Sequence, residues 1–220
     1  MPKVTSVEPQ KKNSKRFNVF LDGQFAFGAD EDLVVNYRLV PGKIIEQKDL
    51  EKLIFEAEVG KLMEKMYNLF SFRQRSEKEI RDYLKTLSFK RKIKDQEEIS
   101  PLVVDLLIER LKQKGMLNDL EFAKAWIEGR RRSKNLGIRA LKMELVRKGI
   151  GREIIEEVIS NEPLAVSEED LAKLALEKKM RSWKNLDPKK RKQKAIEYLM
   201  RKGFGWEIIK AVVENILGNR

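Results

Sequence analysis

The sequence contains neither cysteine nor histidine in 220 residues. Without cysteine there is no disulfide, no thiolate zinc site and no cysteine nucleophile. Without histidine the usual general base, the serine triad and the commonest transition-metal ligand are lost as well. An enzyme built from this chain would be left with carboxylates, Lys, Tyr or a magnesium site, so no enzymatic activity, catalytic residue or cofactor is expected. Long apolar runs are missing too. Charges break every tract, as Asp105 breaks "LVVDLLI", so no membrane-spanning helix is expected. Residues 1–16 are polar and basic, unlike a secretory signal, and a cytoplasmic location is the simplest expectation.

Charge is plentiful instead. Charged residues make up 37% of the chain, where about one quarter is usual, while 41% hydrophobic residues still allow a core. That balance suits a helical protein with much surface. The formal net charge is +12, unevenly placed. Residues 1–58 hold 9 Lys and Arg against 10 Asp and Glu, a net of −1, and the remainder holds 38 against 25, a net of +13. Basic character confined to the later three quarters points to a polyanion partner, most often nucleic acid. The plainer reading is solubility alone.

The first segment reads as strands. In "RFNVFLDGQFAFGAD", Phe17, Val19 and Leu21 alternate, Asp22-Gly23 supplies a tight turn, and Phe25 and Phe27 resume the alternation. A lone hairpin is marginal in water, so it needs another strand, from Val4–Val7 or Leu39–Ile45, or a helical support. The acids of "GADED" (28–32) could be imagined around magnesium, but Asp30 also stands where an N-cap would start a short helix. No metal site is expected.

From Asp49 onward the periodicity is helical. Val59, Leu62, Met63, Met66, Leu69 and Phe70 mark one apolar face. "SEKE" (76–79) reads as a capping box, Ser100-Pro101 as a helix start, and the charged stretch 88–98 as a loop. Asp119, Gly137, Ser167 and Asp187-Pro188 open later helices, and Phe122 and Trp126 are expected to be buried. Two phrases recur. "LVRKGIGREII" begins at 145 and "LMRKGFGWEII" begins 54 residues later, with nine of sixteen positions identical from Leu145 and Leu199 onward. "KNLG" (134–137) and "KNLD" (184–187) are spaced by 50. The difference of four predicts a second helix about one turn longer in the last unit. The expected fold is therefore mainly α: three tandem three-helix repeats in an elongated curved array, after a small strand-rich head with a β-hairpin. The boundaries read as a head at 1–58 and repeats at 59–116, 117–162 and 163–220.

The repeated "KG" phrases are not phosphate cradles. Neither completes G-x-G-x-x-G, since Ile154 and Ile208 stand where the third glycine belongs, and no strand precedes them. Gly149 and Gly203 read instead as left-handed helix ends. A helix–turn–helix reader of duplex DNA would need outward Arg, Asn or Gln after the turn, whereas "REIIEEVIS" is apolar and acidic. The basic residues cluster elsewhere. Arg130, Arg131, Arg132 and Lys134 form one run; Lys189, Lys190, Arg191 and Lys192 form another. Lys90, Arg91, Lys92, Lys94 and Arg147 are secondary candidates. Such runs contact backbone phosphates without reading sequence.

"GMLNDLEFAKAWI" (115–127) resembles the signature of the RecX family, and "RFNVFLDGQFAFGADEDL", "SEKEIRDYL" and the two "KG" phrases are similar to it in order. The resemblance covers nearly the whole chain. It implies a non-enzymatic, monomeric regulator of homologous recombination, DNA repair and the SOS response. Such a protein lodges in the RecA–single-stranded DNA filament and opposes its ATPase, growth and strand exchange. The alternative from the residues alone is a basic helical-repeat protein that binds DNA, single- or double-stranded, without RecA.

Overall fold

A computed structural model describes residues 1–11, 13–161 and 167–218. Two compact units emerge, one of residues 1–74 with 81–117 and one of residues 75–80 with 118–220.

The first unit begins with an antiparallel sheet of β1 (Val4–Gln10), β2 (Asn13–Leu21) and β3 (Gln24–Asp30), in that order. The hairpin turns at Asp22 and Gly23, with φ of 49° and 81°, so both turn residues take the left-handed region expected of Asp-Gly. The third strand is β1, and Lys3 bridges to Ile44 beyond it. Asp30 caps the short helix α1 (Glu31–Asn36), its Oδ1 accepting from the Leu33 amide at 2.9 Å. A Cβ on Gly60 would run into the Asp30 carboxylate, so this glycine is what lets α2 (Gln47–Phe72) approach β3 closely. Val4, Val19, Leu21, Phe27, Leu33, Leu39 and Leu53 close the core between sheet and helix. Helix α2 runs unbroken through residues 58 and 59, where the sequence suggested a boundary.

Helix α3 (Glu77–Lys92) and α4 (Pro101–Gln113) complete the first helical group. Contrary to expectation, residues 88–92 belong to α3 rather than to a loop. Cations are favoured at a helix C-terminus, and Arg91 gains a 2.6 Å ion pair with Glu58 of α2. Periodicity misses this last turn because it has no apolar stripe. Ser76 caps the helix as expected, its Oγ accepting from the Glu79 amide at 3.3 Å, and the Glu79 carboxylate also accepts from Lys148 Nζ at 2.5 Å.

In the second unit, α5 (Asp119–Lys134), α6 (Ile138–Arg147) and α7 (Arg152–Asn161) enclose Phe122, Ile127, Leu141, Leu145 and Ile155. Helices α8 (Glu168–Met180), α9 (Pro188–Arg201) and α10 (Trp206–Leu217) enclose Leu171, Leu176, Leu199, Phe204 and Val212. A 3-10 turn at Arg181–Trp183 follows α8. Helix α9 has 14 residues and α6 has 10, the four-residue difference read from the phrase spacings.

The repeated phrase turns out to be a joint. Gly203 has φ 85°, and Lys202 and Gly203 offer their carbonyls to the Gly137 amide (2.9 Å) and the Arg139 amide (3.1 Å) at the start of α6. Those amides are orphans of a helix N-terminus that has no side-chain cap of its own. Glu168, first residue of α8, accepts from the neighbouring Ile138 amide at 3.1 Å. The same construction occurs one repeat earlier. The Lys148 carbonyl accepts from Ser76 Oγ at 2.7 Å, and Asp119, first residue of α5, accepts from the Glu77 amide at 2.9 Å. In each case the C-terminal turn of one second helix meets the N-terminus of the preceding second helix. Opposite ends of two helix dipoles are thereby apposed.

Candidate nucleic-acid interface

The run at the end of α5 is divided by its partners. Arg130 Nε donates to Glu144 at 2.7 Å, and its guanidinium lies 4.3 Å from the centre of the Trp126 ring. Trp126 is half-buried rather than buried. It stacks on Phe122, donates Nε1–H to Glu144 at 2.8 Å, and carries the Lys148 ammonium 4.7 Å from its ring centre. Amphipathic indole keeps its polar edge at a surface where it finds a partner. Arg131 favours ionisation of Glu168, whose carboxyl is nevertheless pushed up, chiefly by burial. Arg132 is exposed and pairs with Glu128 one turn back. Arg130 and Arg131 thus hold local structure, and Lys134 faces solvent.

At the start of α9, Asp187 accepts from the Lys189 and Lys190 amides, and this cap offsets the poor placement of cations at a helix N-terminus. Lys189, Lys190 and Lys192 are exposed. Arg191 is turned back, donating Nη2 to the carbonyls of Lys184 (2.8 Å) and Leu186 (2.9 Å). Arg147 is exposed at the end of α6. In the first unit, Lys92 pairs with Glu98 at 2.8 Å, while Lys90 and Lys94 are exposed.

The two principal runs do not meet. Lys134 lies at the C-terminal end of α9, where Lys202 Nζ donates to its carbonyl. Lys189 opens that helix, about 20 Å away along its axis at 1.5 Å per residue. What Lys134 does meet is a cluster that no single stretch of sequence displays. Burial, then the charges of Lys134, Lys178 and Lys179, depress the Lys202 pKa below 10.5. Four ammonium groups from α5, α8 and the end of α9 therefore share one field. Like charges gathered around Lys202 concentrate positive potential of the kind that attracts anions. The signal was present in "EKKM" and "RKG", but neither phrase alone shows that they converge.

A large cleft in the first unit, about 890 Å³, has a different character. Arg16, Arg91, Glu58 and Glu64 line it, and they pair with each other, Arg91 with Glu58 at 2.6 Å and Arg16 with Glu64 at 3.6 Å. Among the described residues no group of three or more Asp or Glu converges as a metal site would require, and no helix is long and apolar enough to cross a membrane.

Family models match three stretches: the regulatory protein RecX N-terminal domain at 2–46, the second RecX three-helix domain at 118–159 and the third at 167–213. The regulatory protein RecX of Bacillus subtilis is 36% identical over 98% of this chain and 78% of its own length. That of Listeria monocytogenes is 35% identical over 95% and 74%. The chain belongs to the RecX family. Relatives are named as regulatory proteins, and a regulatory role extends to this chain. A crystal structure of regulatory protein RecX shares the fold, with a TM-score of 0.72 at 24% identity over 96% of this RecX chain and 98% of that one. The crystal structure of RecX from Lactobacillus salivarius gives 0.58 at 20% identity over 72% and 96%. The joints formed by the two "RKG" phrases with Asp119 and Glu168 thus belong to a RecX fold.

Proposed function

We propose that this RecX-family chain binds the RecA filament on single-stranded DNA and opposes its ATPase, its growth and its strand exchange. It acts without catalysis, cofactor or metal, as a cytoplasmic monomer, in recombinational repair and the SOS response. The observation that carries the DNA half of this reading is the convergence of Lys134, Lys178, Lys179 and Lys202. Backbone phosphates suit such a cluster, because ammonium groups neutralise them with no base contact. Exposed Lys189, Lys190 and Lys192 extend the positive surface at the other end of α9. The RecA half rests on family membership and the sequence resemblance.

The deciding experiment is a RecA ATPase assay on single-stranded DNA with increasing amounts of this protein. Dose-dependent loss of hydrolysis is expected. Unchanged hydrolysis, with direct DNA binding intact, would favour the reading of a basic helical-repeat protein that works on DNA without RecA. Direct DNA binding should survive chelator; loss reversed by magnesium would return attention to the acids at 28–32.

A further inference from the structure

Trp206 is the residue that the joint does not explain. At the aligned place in the preceding repeat stands Arg152, so an indole is not needed to build this turn. The other two tryptophans are engaged, Trp126 as described and Trp183 edge-on to Tyr198 at 5.9 Å. Trp206 is 52% exposed and has no aromatic or cation partner among the described residues. Beside it Met143 and Met200 are 58% and 59% exposed. These three, with buried Phe204 behind them, line a groove of about 250 Å³.

Among the described residues the groove is lined by no acid, and Arg139 and Arg201 are its only charged lining residues. Both are exposed, and neither enters an ion pair among the described residues. Its volume falls just below the range of drug-sized sites, about 300–1,000 Å³, and suits a single ring system. A partner helix would need a longer apolar trough to seat anchors over successive turns. An open indole face with cations at its edge is the chemistry that stacks a base and holds its phosphates. The groove is also continuous with the lysine cluster. Arg201, Lys202 and Gly203 form one turn, with Arg201 and Gly203 lining the groove and Lys202 in the cluster.

We propose that this groove is a stacking site for one unpaired base of single-stranded DNA, with Trp206 supplying the ring face and Arg139 and Arg201 binding the flanking phosphates. The site rests on the DNA-binding part of the proposed function and gives it a preference for unpaired strands. Duplex DNA keeps its bases stacked and offers the groove nothing but phosphates.

The test uses the full chain and two labelled oligonucleotides of equal length and charge, oligo-dT and its abasic counterpart, followed by anisotropy across a salt series. Wild type should bind oligo-dT more tightly than the abasic strand. Trp206→Ala should lose about tenfold on oligo-dT, within the effect of removing one stacked base, and nothing on the abasic strand. Its salt slope should stay unchanged. Trp206→Phe should retain most of the preference. Trp206→Arg copies the preceding repeat, protects the test against a folding defect, and should bind both strands alike. Replacing Arg139 and Arg201 by Gln should flatten the slope by about 0.7 for each phosphate no longer neutralised. A folded Trp206→Ala or Trp206→Arg variant that keeps the wild-type preference for oligo-dT would overturn the proposal. So would a variant that weakens RecA-filament binding while leaving both oligonucleotide affinities intact, which would make the groove a protein-docking site. If wild type binds neither strand, the DNA-binding reading itself fails and the stacking site with it.

Discussion

The Ser76 hydroxyl donates to the carbonyl oxygen of Lys148, 2.7 Å away and 72 residues further along the chain. Ser76 is fully buried, so this bond stands in for water at its hydroxyl. The Lys148 side chain returns to the same helix through Glu79 while its ammonium covers Trp126. One lysine thereby ties the start of α3, the end of α6 and the side of α5.

Ser76→Ala removes the donor and also the acceptor for the Glu79 amide. Losing both bonds at this part-buried site should cost about 1–3 kcal/mol. Urea unfolding measures it. A change below about 0.5 kcal/mol would mean that water replaces the hydroxyl.

Glycine-to-alanine substitutions should rank by what the added methyl meets. Gly23 has φ 81° and open space around it, so only backbone strain applies, about 1–2 kcal/mol. At Gly149 the methyl would press on the Lys78 side chain, and at Gly203 on the backbone and Cβ of Ala140. Gly203→Ala should therefore be the most destabilising, since it also disturbs two joint hydrogen bonds, at roughly 2–4 kcal/mol in all. Equal losses at all three positions would contradict the joint.

Glu168 separates a charge role from a capping role. Burial raises its pKa above 4.5 despite the Ile138 amide and Arg131, so the folded state binds this proton more readily than the unfolded chain does. Its contribution is fully present below the unfolded value and is lost as pH rises through the higher folded value. Glu168→Gln keeps an acceptor for the Ile138 amide and should match or exceed wild-type stability at pH 7. Glu168→Ala should fall below both. Thermal melts at pH 4 and 7 test this, with the gap between wild type and the Gln variant narrowing at pH 4.

The lysine cluster should trade stability for binding. The folded pKa of Lys202 lies below 10.5, so holding it charged is a cost present at neutral pH and relieved as pH rises through its folded value. Lys178→Gln with Lys179→Gln should raise the melting temperature at low salt, an effect that screening removes at high salt. The same pair should weaken single-stranded DNA binding and flatten its salt slope. The comparison is an equal charge removal at Lys189 and Lys190. If both pairs weaken binding alike and leave stability alone, net charge matters and the cluster does not.

Much of the local architecture is legible in the residues. The Asp22-Gly23 turn, the Asp30, Ser100 and Ser167 caps, the left-handed glycines 149 and 203, and the extra turn of α9 all follow from short-range chemistry. Each depends on neighbours within about four positions, and periodicity and capping report that range. Helix α3 overran its expected end because the ion pair of Arg91 with Glu58 joins positions 33 residues apart. The candidate interface was legible in kind and not in place. Composition showed that the later chain is basic, yet a run of cations does not reveal which members face acids. Arg130 is held by Glu144 and Arg191 by carbonyls, whereas Lys134, Lys178 and Lys179, scattered along the sequence, all come within the field of Lys202. Electrostatic fields add in space rather than along the chain, so only the packing of α5, α8 and α9 could assemble that site.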